Sequence, residues 1–309
     1  MCLKRGAGKS GNVPQIVIMQ EHGQEETYME RLKGAAVSAS IREQVTEKLG
    51  QLKGAVPKLA IIRVGENPDD ISYERGAMKK LEQFGLRAQS YVFPGDISQE
   101  AFMEEFRSIN RDEDVTGILL LRPLPGQLDQ AEIERRINPD KDLDGISPVN
   151  IARVFAGSKE GFAPCTAEAV VELLKFYGIE IEGKRAVILG RSMVVGRPLS
   201  MLLLKENATV TICHTRTRNL KETCRQAEIL VAAAGQAKLV DASYVGQDAV
   251  VIDVGINVDE EGKLCGDADT DSLEGTASMA TPVPGGIGAV TTAVLAKHLV
   301  EAAILQQEK

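Results

Sequence analysis

Residues 185–198 constrain the fold more than any other part of the chain. An apolar run rich in β-branched residues ends there at Gly190, and a second glycine, Gly196, follows six residues later, where a helix is predicted to begin. A parallel strand that passes into a helix through glycines is typical of α/β domains, in which free N–H groups of the helix face a bound diphosphate. Because the spacing differs from the usual G-x-G-x-x-G, the segment predicts such a turn but does not by itself identify a dinucleotide.

Strand and helix patterns alternate along both halves of the chain. In the first half, helices are predicted at residues 32–52, 73–84 and 98–110, and strands at 58–65, 88–93 and 117–121. In the second half, helices are predicted at residues 167–177, 197–205 and 291–307, and strands at 186–189, 209–212, 229–233 and 250–254. Alternation at this spacing predicts parallel sheets in two α/β domains. No strand follows the last helix, and the pattern leaves open whether that helix returns to the first domain.

Bulk properties narrow the functional classes. The 309 residues have room for two domains, and a formal net charge of −8 argues against a nucleic-acid binder. No uninterrupted apolar run approaches the roughly 20 residues that a bilayer span needs, so no membrane association is expected. The five cysteines lack C-x-x-C spacing and are expected to be reduced thiols in the cytoplasm. The three histidines are far apart in sequence, so no metal site is predicted.

Residues 1–28 differ from the rest of the chain. They start basic and glycine-rich, without the apolar core of a secretory signal, and are expected to be a disordered extension. Two alternatives stay open at this point. One is a targeting peptide, against which the acidic residues Glu21, Glu25 and Glu26 argue, and the other is a natural chain that begins near Met29.

Five groups of residues occur in an order and spacing that are typical of one enzyme family. They are Tyr73, Pro-Asp-Lys-Asp-Leu-Asp-Gly at 139–145, Pro-Cys-Thr at 164–166, the Gly-Arg-Ser segment at 190–198, and Pro-Val-Pro-Gly-Gly-Ile-Gly at 282–288. In these residues the chain resembles the methylenetetrahydrofolate dehydrogenase/cyclohydrolase family, from about residue 32 to residue 299. The resemblance implies oxidation of 5,10-methylenetetrahydrofolate to the methenyl form by a nicotinamide cofactor, in a cleft between two α/β domains. Many members then hydrolyse the methenyl product to 10-formyltetrahydrofolate.

The resemblance also implies that folate and the cofactor are bound by different segments of the chain. Residues 29–150, together with a C-terminal helix at 290–309, are expected to bind folate, and residues 151–289 are expected to form a Rossmann-like NAD(P)-binding domain. Catalytic roles are implied for Tyr73, which would orient the pterin, and for Asp144, whose carboxylate would accept N–H bonds from it. Further substrate contacts are implied at Pro282, Gly285 and Gly286. The family further implies a cytoplasmic homodimer.

The resemblance also implies a set of cofactor contacts in the second domain. They comprise Gly190, Arg191, Ser192, Val195, Gly196, Thr215, Arg216 and Ile256. Glycines lack Cβ atoms, so backbone N–H groups can approach phosphate oxygens closely. The alternative for these glycines is that they only make a tight turn.

The residues after the strand at 209–212 bear on the choice between NADP and NAD. NAD sites usually place an acid at this point to bind the ribose diol, whereas this chain has His214 and Thr215, followed by Arg216 and Arg218. A 2′-phosphate would gain charge-assisted hydrogen bonds from the arginines, so NADP is favoured and NAD is the alternative. The simpler interpretation of Arg216 and Arg218 is a solvated surface loop.

Two positions depart from the family pattern. Bifunctional members have Tyr-x-x-x-Lys, with the lysine as the acid–base group of the cyclohydrolase step, whereas here Ala77 lies four residues after Tyr73. The family glutamine that would hold this lysine is replaced by Leu121. Arg122 is also new, and it either adds charge to the cleft or lies at an exposed strand end. Lys80, about 60° around the helix from Ala77, is a partial substitute at best.

The two departures predict a loss of one activity and not of the other. Hydride transfer needs alignment of the two reactants but no proton transfer by the enzyme. Hydrolysis of the methenyl cation needs a positioned acid–base group. The sequence therefore predicts a dehydrogenase with weak or absent cyclohydrolase activity. The alternatives are a fully bifunctional enzyme and, from another class, a folate- or nucleotide-binding protein without turnover.

Overall fold

The computed structural model describes residues 28–308, in which two parallel sheets are flanked by helices. The expectations for residues 1–27 lie outside the described residues. In the first half the elements are β1 (Glu30–Arg31), α1 (Gly34–Leu49), β2 (Lys58–Val64), α2 (Pro68–Gln83), β3 (Arg87–Phe93), α3 (Gln99–Arg111), β4 (Gly117–Leu120), α4 (Gln130–Arg136) and α5 (Pro148–Phe155). In the second half they are α6 (Cys165–Phe176), β5 (Arg185–Leu189), α7 (Gly196–Lys205), β6 (Thr209–Cys213), α8 (Leu220–Arg225), β7 (Ile229–Ala232), β8 (Val250–Asp253), β9 (Asn257–Val258), β10 (Leu264–Cys265), β11 (Met279–Ala280) and α9 (Ile287–Gln307).

The first sheet has the order β3-β2-β4, and all its strands are parallel. Every residue of the central strand β2 is buried, as expected for a strand covered on both faces. The chain returns beside β4, where Ile118 forms a parallel bridge with Asp142. This register brings Asp144 level with Leu120, the last residue of β4. Asp144 therefore lies at the carboxyl edge of the first sheet.

The second sheet has the order β1-β11-β8-β7-β5-β6, and its neighbouring strands are parallel. After β5 the chain first adds β6 on one side and then returns to add β7 on the other. The carboxyl ends of β5 and β7 therefore form a topological switch point, where open α/β sheets bind their ligands. The predicted α/β class with a Rossmann-like second domain is confirmed.

Several elements begin or pair in ways that the sequence pattern did not predict. Helix α2 starts at Pro68, not at residue 73, because the Asn67 side chain accepts a hydrogen bond from Asp69 N at 3.0 Å and proline suits the first helical position. The two-residue strand β1 joins the edge of the second sheet, where Leu32 N donates to Ala280 O at 2.9 Å. The short helices α4, α5 and α8 were not predicted either.

Helix α9 packs against α1 and α2 of the first half and against α6 of the second. By length and composition α9 is apolar enough to cross a bilayer, with a mean hydropathy of 1.4 over an 18-residue window, whereas the sequence pattern predicted no such segment. Lys297 and Glu301 interrupt its apolar run, and 67% of the window is buried inside the protein. Its packing is that of a core helix that joins the two halves.

Candidate active site

The glycine turn (residues 190–196) connects β5 to α7 at the switch point. Gly190 has a φ of +144°, and a Cβ there would overlap the carbonyl oxygen of Ala233 at the end of β7. A Cβ on Gly196 would overlap the carbonyl oxygen of Gly190 in the same way. Both glycines are therefore required by close backbone packing, whatever else they bind. The packing also places the N-terminus of α7 at the carboxyl edge of the sheet, where its first N–H groups lack intrahelical partners.

Ser192 orders the glycine turn from within. Its Oγ accepts from Val195 N at 3.0 Å, and its carbonyl oxygen accepts from Arg197 N at 3.1 Å. The side chains of Arg191 and Ser192 are exposed. The turn thus presents an arginine and a helix N-terminus on one open surface.

The arginine turn (residues 214–218) lies beside the glycine turn, because Leu189 and Cys213 are paired at the ends of β5 and β6. His214 N donates to Thr217 Oγ1 at 2.9 Å, and Thr217 N donates back to the His214 carbonyl at 2.8 Å. Thr215, Arg216 and Arg218 are exposed. Within residues 28–308, no carboxylate forms an ion pair with Arg191, Arg216 or Arg218. This edge is cationic, as a 2′-phosphate requires.

Two buried aspartates that the sequence analysis missed tie together the loops after β7 and β8. The Asp267 carboxylate accepts from Gly235 N and Gln236 N, both at 2.9 Å, and from Asn257 Nδ2 at 2.8 Å. It also accepts from Ala234 N. These donors lie just beyond the carboxyl edge of the second sheet. Asp267 thereby holds the backbone beside the glycine turn.

Asp253, the last residue of β8, likewise accepts hydrogen bonds from backbone N–H groups of the loops. Its carboxylate accepts from Gly255 N at 2.9 Å, Asp267 N at 3.0 Å and Ala268 N at 2.8 Å. Burial raises the pKa of this carboxyl to about 6, although the three backbone donors favour the charged form. A Cβ on Gly255 or Gly266 would overlap one of the two carboxylates. Those glycines were the available sequence signal for the aspartate pair.

The proline–glycine loop (residues 282–288) faces the segment after β8 across a cavity of about 270 Å³. The cavity is lined by Ile256 together with Pro282, Gly285 and Gly286. The loop is anchored to the start of α1, where Gly34 N donates to the Gly285 carbonyl at 2.8 Å. One residue predicted for the cofactor and three predicted for the substrate thus share one cavity.

Asp144 and Tyr73 meet on the other side of the cleft. Asp144 Oδ1 accepts from Cys165 N at 2.9 Å, and burial raises the pKa of the carboxyl, whereas the Cys165 N–H and the charge of Arg122 lower it. Tyr73 projects from α2 toward the same place, and burial together with Cys165 and Asp144 raises the pKa of its phenol. The Tyr73 side chain remains open enough to meet a ligand, since 37% of the residue is exposed.

A cavity of about 170 Å³ connects this acidic position with the glycine turn. Its lining includes Asp144 and Arg122 from the first half and Met193 from the glycine turn. The two sides of the predicted site therefore face a common space. A larger open depression of about 450 Å³, lined by Lys184, Arg185 and other residues, lies at the amino edge of the second sheet and is remote from these groups.

The positions that depart from the family pattern lie in the apolar core. Ala77 is fully buried, Leu121 is 8% exposed, and both belong to the same cluster of packed apolar side chains. Lys80 Nζ donates to Ser38 Oγ on α1 at 3.1 Å and lies 5.9 Å from the centre of the Phe84 ring. The Lys80 amine is thus held at α1.

Behind Asp144, a buried histidine connects the last helix to the cleft. His298 Nδ1 lies 2.8 Å from the Leu143 carbonyl oxygen, and Nε2 lies 2.9 Å from Glu168 Oε2. Burial lowers the pKa of His298, but Glu168 and Glu301 outweigh burial and raise it above its ordinary value. Across residues 28–308, no group of three or more His, Cys, Asp or Glu side chains is arranged to hold a metal ion.

Comparisons with known proteins identify the family of this chain. The profile of the tetrahydrofolate dehydrogenase/cyclohydrolase catalytic domain matches residues 32–144, and that of the NAD(P)-binding domain of the same family matches residues 164–307. The "Bifunctional protein FolD" of Clostridioides difficile (strain 630) is 50% identical over 280 residues, which are 90% of this chain and 98% of the relative.

Two solved structures are similar over their whole length. The bifunctional FolD methylenetetrahydrofolate dehydrogenase/cyclohydrolase of Campylobacter jejuni has a TM-score of 0.87 and 39% identity, covering 90% of this chain and 99% of that one. The N5,N10-methylenetetrahydrofolate dehydrogenase-cyclohydrolase of Trypanosoma brucei, complexed with NADP cofactor and an inhibitor, has a TM-score of 0.85 and 34% identity, covering 91% and 99%. With both halves of the cleft matched in sequence and in fold, the chain belongs to the tetrahydrofolate dehydrogenase/cyclohydrolase family.

Proposed function

We propose that this protein is an NADP-dependent methylenetetrahydrofolate dehydrogenase whose cyclohydrolase activity is weak or absent. One observation supports the split between the two activities. The positions of the family lysine and glutamine hold the buried apolar side chains of Ala77 and Leu121, while Tyr73, Asp144 and the glycine turn remain around one cleft. The site therefore keeps its binding groups and lacks the expected proton-transfer group.

On the folate side, Asp144 and Tyr73 hold the substrate. The Asp144 carboxylate accepts N–H bonds from the amino-pyrimidine edge of the pterin, and Tyr73 packs against the ring and sets its orientation. The proline–glycine loop closes the cavity at Pro282, Gly285 and Gly286. Together these contacts place the methylene carbon in the cleft between the two halves.

On the other side, the glycine turn and the arginine turn bind the cofactor. The N-terminus of α7, with Gly190, Ser192 and Gly196, receives the diphosphate, and Val195 and Ile256 border the site. Thr215 and Arg216, next to Arg191, fit the 2′-phosphate because the described part of this edge has no carboxylate paired with the arginines. When bound, NADP supplies the nicotinamide ring that accepts the hydride from the methylene carbon. The residues of the cleft align the two carbons and exclude water.

Hydrolysis places a different demand on the same cleft. A water molecule must lose a proton and a folate ring nitrogen must gain one, and a missing general acid–base group typically costs about 10²–10⁴ in rate. The methyl group of Ala77 transfers no proton, and the Lys80 amine is engaged by Ser38. We therefore expect the methenyl product to leave largely unhydrolysed.

Full bifunctionality is the second candidate. Its support is the name of the Clostridioides difficile relative, which at 50% identity is described as bifunctional. In that case water-mediated chemistry or a reoriented Lys80 would stand in for the lost lysine.

The remaining proposals concern the domain boundaries, the oligomeric state, the location and the partners of the protein. The folate-binding part would comprise residues 29–150 and 290–309, and the cofactor-binding part residues 151–289, with β1 crossing to the second sheet. We propose a cytoplasmic homodimer that acts on a small folate and binds neither nucleic acid nor membrane.

One assay tests the proposed function. Purified protein is mixed with 5,10-methylenetetrahydrofolate and either NADP or NAD, and the methenyl absorbance is followed. We expect the signal to rise with NADP and then to persist. Decay faster than in buffer alone would establish bifunctionality, a preference for NAD would overturn the cofactor assignment, and no signal with either cofactor would overturn the proposal.

A further inference from the structure

Arg122 occupies an unusual position in the cleft. It lies two residues after the end of β4. Its Nη2 is 3.5 Å from Asp144 Oδ2, while its Nη1 donates to Glu134 Oε1 at 3.1 Å. The three side chains are about one-fifth exposed, at 18% for Arg122, 20% for Asp144 and 22% for Glu134. A single guanidinium is thus shared by two carboxylates in the cavity of about 170 Å³. The sequence alternative of an exposed strand end is wrong.

Without a nearby cation, the surroundings of Asp144 favour the protonated form of its carboxyl group. Burial and the nearby charge of Asp142 both favour the protonated form. Tyr73 faces Asp144 from α2 and Cys165 faces it from α6, and the raised pKa values of both keep these groups uncharged at neutral pH. Arg122 and the backbone N–H of Cys165 act in the opposite direction and favour the charged carboxylate.

The positive charge of Arg122 can be compared with that of the lysine in the family pattern. The lysine that bifunctional members place one helical turn after the tyrosine is replaced by Ala77, so its positive charge is missing from the α2 side of the cleft. Arg122, which also departs from the family pattern, returns a positive charge from the segment just after β4. A guanidinium stays protonated in proteins, so Arg122 replaces the charge of the lysine but not its ability to transfer a proton.

We propose that Arg122 is a positioning residue for folate binding, which holds the Asp144 carboxylate charged and oriented toward the pterin. The inference rests on the proposed function, because it assumes that Asp144 is the group that binds the pterin. Glu134 weakens this effect, because the same guanidinium also forms an ion pair with the Glu134 carboxylate. Gln130 Nε2 donates to the same Glu134 oxygen at 2.8 Å and fixes that carboxylate in place.

The test is the pH dependence of the KM for 5,10-methylenetetrahydrofolate at saturating NADP. In the wild type the KM should rise as the pH falls, because Asp144 gains a proton and loses acceptor capacity. Arg122→Leu should move this rise to higher pH by about one unit, so that the KM at a fixed pH on this limb is about tenfold higher. The kcat should change little. Arg122→Lys, which keeps the charge, should remain near the wild-type profile.

Glu134→Gln gives the opposite displacement. Without the charge of Glu134, the guanidinium acts more fully on Asp144, so the rise in KM should move to lower pH. A merely structural role for Arg122 predicts no pair of opposite shifts. If Arg122→Leu does not fold, as judged by circular dichroism, Arg122→Gln, which keeps a polar side chain but removes the charge, decides the question.

The outcomes separate this inference from the proposed function. Wild-type protein that forms no methenyl product would overturn the function itself. Active wild-type protein whose KM profile is unchanged in Arg122→Leu, or in Arg122→Gln where Arg122→Leu does not fold, would overturn the role of Arg122 alone. Tighter folate binding by Arg122→Leu would do the same, because it would mean that Arg122 competes with the pterin for Asp144.

Discussion

The glycine turn and positions 77 and 121, where the family has its lysine and glutamine, differ in how far each follows the family pattern. The turn keeps both glycines in positions where any side chain would overlap backbone, and its neighbouring loops are tied down by Asp267 and Asp253. Ala77 on α2 and Leu121 just after β4 replace the polar pair of the family pattern, and both are buried in the apolar core. The difference teaches that backbone packing constrains the cofactor side of the cleft, whereas positions 77 and 121 accommodate apolar side chains in the same fold.

The largest effect is expected where the turn is held most tightly. Gly190→Ala would push a Cβ into the Ala233 carbonyl at a φ of +144°, so we expect dehydrogenase activity to fall by about 10²-fold or more, with several kcal/mol of lost stability. Steady-state kinetics with varied NADP and a denaturant titration measure both. Gly126→Ala is the matched control, because a Cβ there meets nothing within 4 Å. Equal behaviour of the two variants would contradict the packing argument.

The second effect would come from changes at positions 77 and 121 that leave the glycine turn intact. The double variant Ala77→Lys with Leu121→Gln restores the polar pair, and we expect hydrolysis of the methenyl product to rise by about 10²-fold or more. Decay of the methenyl absorbance is the measurement, and the oxidation step should stay within a few-fold of the wild type. Lys79→Ala, a change at an exposed site on the same helix, is the control. The account fails if the double variant hydrolyses no faster than the wild type.

A smaller effect is expected from weakening the hydrogen bonds by which Asp267 holds the loop after β7 next to the glycine turn. Asp267→Asn replaces a carboxylate that only accepts hydrogen bonds by an amide that also donates, so some of its backbone donors lose their acceptor. We expect a loss of about 1–3 kcal/mol in the free energy of unfolding and a higher KM for NADP. The KM for the folate should change less. Asp271→Asn, whose side chain is fully exposed, should alter neither quantity.

The smallest effect concerns His298, the buried histidine that contacts the Leu143 carbonyl oxygen and Glu168. The pKa of His298 is raised in the folded protein, so the protonated form contributes stability at pH values below the ordinary histidine pKa. That contribution should be lost as the pH rises through the raised pKa. Thermal unfolding between pH 6 and 9 should therefore show a decline that is weaker in His298→Gln. Parallel curves for the two proteins would exclude His298 as the source.

Much of the architecture could be predicted from local sequence pattern, for identifiable reasons. The strands β2, β5 and β7 are short apolar runs between turn residues, and such runs predict buried parallel strands wherever helices alternate with them. The family assignment, which the comparisons confirm, rests on motifs of several residues at fixed spacing. Those motifs report on backbone geometry that few other sequences satisfy.

Other features have no local signal. Two-residue strands such as β1 and β11 exist only because a partner lies beside them, and their residues carry no period that a pattern could reveal. Asp267 and Asp253 resemble ordinary turn residues in the sequence, since an aspartate next to a glycine is typical of a turn. Their burial, and the donors that they bind, come from loops distant in the chain.

The sequence by itself determined the α/β alternation, the two glycines of the turn and the identity of the residues that replaced the lysine and glutamine. Only the tertiary structure decided where each charged side chain ended. It placed Lys80 against Ser38 on α1, and it placed the Arg122 guanidinium between Asp144 and Glu134. The physical reason is that helical and strand periods fix only the direction in which a side chain leaves the backbone. The partner that a long, flexible side chain finds depends on which elements the fold packs beside it.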